Sequence, residues 1–101
     1  MTGEIQHDYE LVYVLQPNLD EQGIVAINER VEQIVTGANG TMTTTELWGR
    51  RTLAYPIKKN FEGHYVMQRF AMDPEKVGDI DRVLRFNENV MRYLVLRNDE
   101  E

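Results

Sequence analysis

The stretch Tyr9–Gln16, YELVYVLQ, followed without delay by Asp20–Gly37, DEQGIVAINERVEQIVTG, decides the fold. In the first part, Tyr9, Leu11, Tyr13 and Leu15 alternate with Glu10, Val12 and Val14, the period of two that belongs to an extended strand. Its middle is apolar on both faces, which predicts a strand in the interior of a sheet. Pro17-Asn18 punctuates it. The period then lengthens: Ile24, Ile27, Val31, Ile34 and Val35 recur at helical spacing, with Asn28, Glu29, Glu32 and Gln33 on the opposite side. Asp20 and Glu21 suit the exposed N–H groups and positive dipole of a helix start. Gly37 and Gly40 are expected to stop the helix.

Working outward, Thr41–Thr45 opens a second strand that continues irregularly through Trp48 to Tyr55. Gly49 permits a bend or bulge, and Pro56, lacking an N–H, confines this strand to a sheet edge. Residues Lys58–Gly63 read as a connector, with Gly63 in a turn. His64–Met72 returns to strand, with His64, Val66, Gln68, Phe70 and Met72 opposite Tyr65, Met67, Arg69 and Ala71. Asp73-Pro74-Glu75 marks a helix start, and Val77, Ile80, Val83 and Leu84 form its apolar stripe. Asn87 and Asn89 interrupt it before a last strand, Val90–Arg97. The order β-α-β-β-α-β predicts an α+β, ferredoxin-like split β-α-β fold. Both helices cover one face of a four-stranded antiparallel sheet, and the other face stays open for a partner. Residues 1–8 are expected to be an N-terminal extension, 9–97 the domain and 98–101 an acidic tail.

At 101 residues one hydrophobic core is expected. No apolar run approaches the roughly 20 residues of a membrane span, and MTGEIQHDYE lacks the pattern of a secretory signal. With no cysteine, neither disulfides nor thiolate metal sites can form. These features make the cytoplasm the expected location. The formal net charge of −6 argues against a protein that grips nucleic acid by bulk charge alone. Position matters more: acidic residues gather at 20–32 and 73–81, basic ones at 50–59 and 82–97.

Catalytic patterns are not found. His7 and His64 stand far apart in sequence, with no metal-ligand spacing. Glu29 with Glu32, and Asp79 with Asp81, lie on helices whose other side is patterned for burial, as solvated faces do. There is no phosphate-cradling glycine loop and no nucleophile elbow. No enzymatic activity, cofactor, metal or small-molecule substrate is expected. The basic-Gly-aromatic signature of single-strand RNA-recognition modules is matched only weakly by Glu62–Phe70.

One segment is specific. WGRRTLAYPIKK, Trp48–Lys59, carries four of the eleven basic residues in twelve positions. Taken with Tyr9-Glu10 and Pro17, with Gly63-His64-Tyr65, and with Arg85-Phe86-Asn87-Glu88-Asn89-Val90 followed by Arg92 and Arg97, it closely resembles the bacterial small-subunit ribosomal protein S-six family. The matching residues Trp48, Gly49, Arg51, Leu53, Ala54, Tyr55, Pro56, Ile57 and Lys59 stand in unbroken register, and the resemblance runs from Tyr9 to Arg97.

The resemblance implies the split β-α-β fold already read from periodicity. It also implies a structural constituent of the ribosome that binds 16S rRNA in the central domain, or platform, together with ribosomal protein S-eighteen. In the family that partner docks at the edge formed by the second strand. Arg50, Arg51, Lys58, Lys59, Arg69, Arg85, Arg92 and Arg97 are the candidate RNA contacts. Trp48, Gly49 and Tyr55 are the candidate partner contacts, Trp48 as an outward anchor and Tyr55 packing partly in the core. Where the family carries a basic residue ahead of Tyr-Glu, this chain has Gln6, His7 and Asp8 after the extension Met1–Ile5. Two other readings compete: a free-standing RNA- or metabolite-binding domain, which requires exposed stacking aromatics, and a small enzyme, which requires a pocket joining His64 to paired carboxylates.

Overall fold

The computed structural model describes residues 6–57 and 59–98. Strand β1 (His7–Leu15) is followed by helix α1 (Glu21–Gly37), β2 (Thr41–Ile57), β3 (Asn60–Met72), α2 (Val77–Arg85) and β4 (Val90–Arg97). The strands form one antiparallel sheet in the order β2-β3-β1-β4. The strand that is apolar on both faces, β1, is interior, and the proline-bearing β2 is an edge. Tyr9 pairs with Phe70, and Tyr13 stands between Val66 and Tyr93.

Both helices lie on one face. Tyr9, Leu11, Tyr13 and Leu15 from β1 meet Val66, Phe70 and Met72 from β3, Ile27, Val31 and Val35 from α1, and Ile80 and Leu84 from α2. Each strand contributes alternate residues and each helix one stripe, so the two periods of the sequence converge on a single core. A polar group is built into it. The Tyr13 hydroxyl donates to Asn28 Oδ1 and, at 3.3 Å, to Gln68 Oε1, while Gln68 Nε2 donates to the Asn28 carbonyl and to Thr45 Oγ1. Gln68 is 1% exposed, so its partners are what make its burial tolerable. Loss of hydration on burial pushes the Tyr13 phenol up from its ordinary value.

The helix caps follow local chemistry. Asp20 accepts from the Gly23 N–H at 2.8 Å, and Asp73 accepts from the Glu75 N–H at 2.9 Å at the start of a short 3-10 turn leading into α2. The end of α1 differs from the expectation of a glycine stop. Gly37 is its last residue, and the left-handed position falls on Asn39, with φ of 63°, which asparagine tolerates. Gly40 serves a close approach instead: a Cβ there would press on the Ala71 carbonyl and lie 2.9 Å from the Val35 carbonyl oxygen.

The largest departure from the sequence reading is the β2–β3 hairpin. With 17 and 13 residues, β2 and β3 outrun β1 and β4, which have 9 and 8. The last β1–β3 pair is Leu15 with His64, so the hairpin tip projects past the four-stranded part. It folds back over the helix-free face, where Leu53, Ile57 and Tyr65 cover Val14 and Met91. Residues 60–63, expected as a connector, are strand. Gly63 is not in a turn: it is buried in β3, and a Cβ would collide with Val14 Cγ1 and stand 3.1 Å from the Leu15 carbonyl oxygen. The left-handed residue at the tip is Lys59, with φ of 69°. Between Thr52↔Glu62 and Ile57↔Asn60, residues 53–56 of β2 face Phe61 alone. Pro56 sits in this bulge, where its missing N–H breaks no ladder bond. The face expected to be open is therefore partly roofed by the chain itself.

Candidate nucleic-acid and partner interface

Beyond the roof, the helix-free face is built from alternate residues of the strands. β1 contributes Glu10 and Val12, β3 contributes Tyr65, Met67 and Arg69, and β4 contributes Arg92, Leu94 and Leu96 in register with Val14, Val12 and Glu10. Leu94 and Leu96 are 55% and 46% exposed. They form an apolar strip that sequence reasoning did not single out, although the alternation of VMRYLVLR placed them opposite the core residues Val95 and Tyr93.

The β2 edge bends at register shifts, one of them between Leu47 and Gly49, where Gly49 has φ of 87°. That conformation suits glycine. Trp48, beside it, is half-buried rather than fully outward. Its Nε1–H donates to Glu46 Oε1 at 2.8 Å, and the Arg51 guanidinium lies over its ring, 5.1 Å from the centroid. The same guanidinium is 5.9 Å from the Tyr65 ring centroid. Tyr55, expected to pack partly in the core, is 53% exposed. Its ring lies under the Arg92 guanidinium at 5.1 Å, a contact that pins the hairpin tip to β4.

Four of the remaining candidate cations have other partners. Arg50 donates to the Pro17 carbonyl at 2.6 Å and pairs with Glu62 at 3.5 Å. Arg69 pairs with Glu10 at 4.0 Å, and Arg85 with Asp81. Arg97 approaches His7 Nδ1 at 2.9 Å. Lys59 is exposed at the tip, and Lys58 lies outside the described residues. The structure brings Arg51, Arg92 and Tyr55 to one end of the helix-free face, beside a cleft lined by Val14, Leu53 and Tyr65. Arg85 lies elsewhere, at the end of α2. Tyr65, Glu46 and Glu62 are contact residues that sequence reasoning did not assign. Glu46 stands two residues from Trp48, a spacing that could have pointed to their contact, but only hairpin register brings Tyr65 and Glu62 to the arginines.

Asp81 lies in a polar cluster with Tyr93 and Arg85. The Tyr93 hydroxyl donates to its carboxylate, and Arg85 adds a further hydrogen bond and charge, so the carboxyl is held below its usual range. The same hydrogen bond raises the Tyr93 phenol. His64 Nε2 is 3.2 Å from the Pro17 carbonyl. Among the described residues no group of three or more His, Cys, Asp or Glu is placed to hold a metal ion. Of the β3 aromatics, Phe70 is buried beneath the helices and Arg51 lies over a face of Tyr65, whereas Phe61, at the hairpin tip, is 67% exposed.

A family model described as ribosomal protein S6 matches residues 8–97. The small ribosomal subunit protein bS6 of Caldanaerobacter subterraneus is 39% identical over 92 residues, covering 91% of this chain and 97% of that protein. Its counterpart from Moorella thermoacetica is 35% identical over 94 residues, covering 93% and 96%. Among solved structures, the 30S ribosomal protein S6 of Thermotoga maritima superposes with a TM-score of 0.86 at 27% identity, covering 93% of this chain and 89% of that one. The superposition of the fold and the match along almost the whole domain agree, and the chain belongs to the ribosomal protein S6 family.

Proposed function

We propose that this protein is a structural constituent of the cytoplasmic small ribosomal subunit and binds the central domain of 16S rRNA together with ribosomal protein S-eighteen, without catalysing a reaction. The observation that carries the reading is the family match over residues 8–97. The charge layout supports it. Residues 20–37 of the helix layer hold Asp20, Glu21, Glu29 and Glu32 against Arg30, whereas the hairpin holds Arg50, Arg51, Lys58, Lys59 and Arg69 against Glu46 and Glu62. A polyanion is steered to the hairpin side and away from α1. With a net charge of −6, the protein leaves part of the phosphate neutralisation to a basic partner.

Trp48, Gly49 and Tyr55 on the β2 edge are the partner-facing candidates. The cations at 50, 51, 58, 59, 69, 85, 92 and 97 are the RNA-facing ones. Two measurements test the reading. On sucrose gradients of a lysate the protein is expected to travel with small subunits; its presence only at the top of the gradient would sink the assignment. In vitro, an rRNA central-domain fragment is expected to bind the two proteins together far more tightly than this chain alone. Equal affinity would remove the division of labour.

A further inference from the structure

We propose that Arg51 and Arg92 are the phosphate-gripping residues of this protein, and that the ligand at the roofed end of its helix-free face is the sugar-phosphate backbone of RNA. The proposal rests on the RNA-binding reading above and narrows it to two side chains. The candidate arginines divide by what already holds them. Arg50, Arg69 and Arg85 each face a carboxylate. A phosphate arriving there competes with an existing anion and gains only the difference. Arg51 and Arg92 have no carboxylate partner among the described residues; they lie over aromatic rings, Arg51 over Trp48 and Tyr65 and Arg92 over Tyr55.

This distinction is chemical. An aromatic ring attracts the charge of a guanidinium without neutralising it and has no oxyanion to occupy the N–H fork. The side chain is thus held in place while its donors remain available to an oxygen anion. Ordering before binding also reduces the side-chain entropy given up when the ligand docks. Trp48 in turn donates a hydrogen bond to Glu46, which orients the ring under Arg51.

Placement selects the ligand class. Tyr65 and Arg92 both stand opposite Val14, on either side of β1, two strand spacings or about 10 Å apart along the sheet. Arg51 sits on Tyr65 at one side of this row, and Arg92 marks the other. Two cations carried by separate strands across one surface suit a chain of repeating phosphates better than a single small anion. Lys59, exposed at the hairpin tip, adds a third positive group beyond the row.

The test is the salt dependence of binding between the full-length chain, with ribosomal protein S-eighteen present, and an rRNA central-domain fragment. Removing one arginine–phosphate pairing is expected to flatten the slope of log K against log salt by about 0.7–0.9. Arg51→Gln and Arg92→Gln are each expected to show that flattening together with weaker binding. Arg51→Lys, which keeps the charge, is expected to retain most of the slope, and Arg30→Gln, on the exposed side of α1, is expected to leave it unchanged. Circular dichroism of each variant verifies the fold. Wild-type slopes for both of these Gln variants, or an equal flattening in Arg30→Gln, would overturn the proposal. It also fails if the two Gln variants weaken association with S-eighteen in the absence of RNA while leaving the slope intact, because the surface then serves protein docking. If the wild-type pair does not bind the fragment at all, the RNA-binding reading itself falls and takes the proposal with it.

Discussion

Replacing Gly63 by alanine tests whether the hairpin roof is held by close packing. The new methyl group is driven into Val14 Cγ1, lies 3.1 Å from the Leu15 carbonyl oxygen and 3.8 Å from Met91 Sδ. Overpacking of this kind destabilises by about 1–3 kcal/mol, and each kcal/mol lowers the Tm of a domain this size by about 4–8 °C. Val14 is 4% exposed, so Val14→Ala alone removes two buried carbons at about 0.8 kcal/mol each, before any cavity contribution. Independent effects would therefore sum to about 3–5 kcal/mol. The structure predicts less, because removing the Val14 branches makes room for the methyl group at 63. The double variant is expected to recover about 1–2 kcal/mol of that sum, within the range of coupling between touching residues. Urea unfolding of the wild type, both single variants and the double variant, at unchanged m value, supplies the cycle. Additivity within about 0.4 kcal/mol would refute the packing argument and return Gly63 to the role of a turn residue, whose cost does not depend on Val14.

Gly78 in α2 has open space where its Cβ would lie, so Gly78→Ala is expected to stabilise by about 0.5–1 kcal/mol, read as a higher urea midpoint. Tyr13→Phe removes the hydroxyl that donates to Asn28 and Gln68 and is expected to destabilise by about 1–3 kcal/mol, measured in the same way. Tyr93→Phe deletes the largest influence holding the Asp81 carboxyl down, so its titration, followed by carbon NMR, is expected to move up toward the ordinary value. For a carboxyl lowered on folding, the stabilisation is present above the unfolded pKa and disappears as pH falls through the folded one. The variant should therefore lose less stability than the wild type on acidification below the ordinary aspartate range, and a steeper decline would contradict the assignment.

Much of the fold is legible because local pattern and global need agree. The two apolar faces of YELVYVLQ require an interior strand, and β1 is interior. Asp20 and Asp73 are good caps by their own chemistry and act as such. VMRYLVLR is a strand by its own pattern and is β4, Val90–Arg97. Pattern and structure part where glycine and asparagine meet tertiary neighbours. Gly40 and Gly63 are small because other backbone or side chains pass close by, from Ala71 and Val14, and no local pattern contains those neighbours. Asn39 then takes the left-handed position for which the glycines were expected.

The candidate site divides in the same way. The order of elements, the core stripes, the edge position of the proline-bearing strand and the specific series WGRRTLAYPI are all readable from the chain alone, because they depend on residue type and short-range spacing. That β2 and β3 outrun the sheet and fold back over it emerges only in three dimensions. So does the sorting of arginines between carboxylates and rings. Arg50 and Arg51 are adjacent and chemically identical, yet one faces Glu62 and the Pro17 carbonyl while the other lies over Trp48 and Tyr65. Successive residues of a strand point to opposite sides, and the partners waiting on each side arrive from distant parts of the chain.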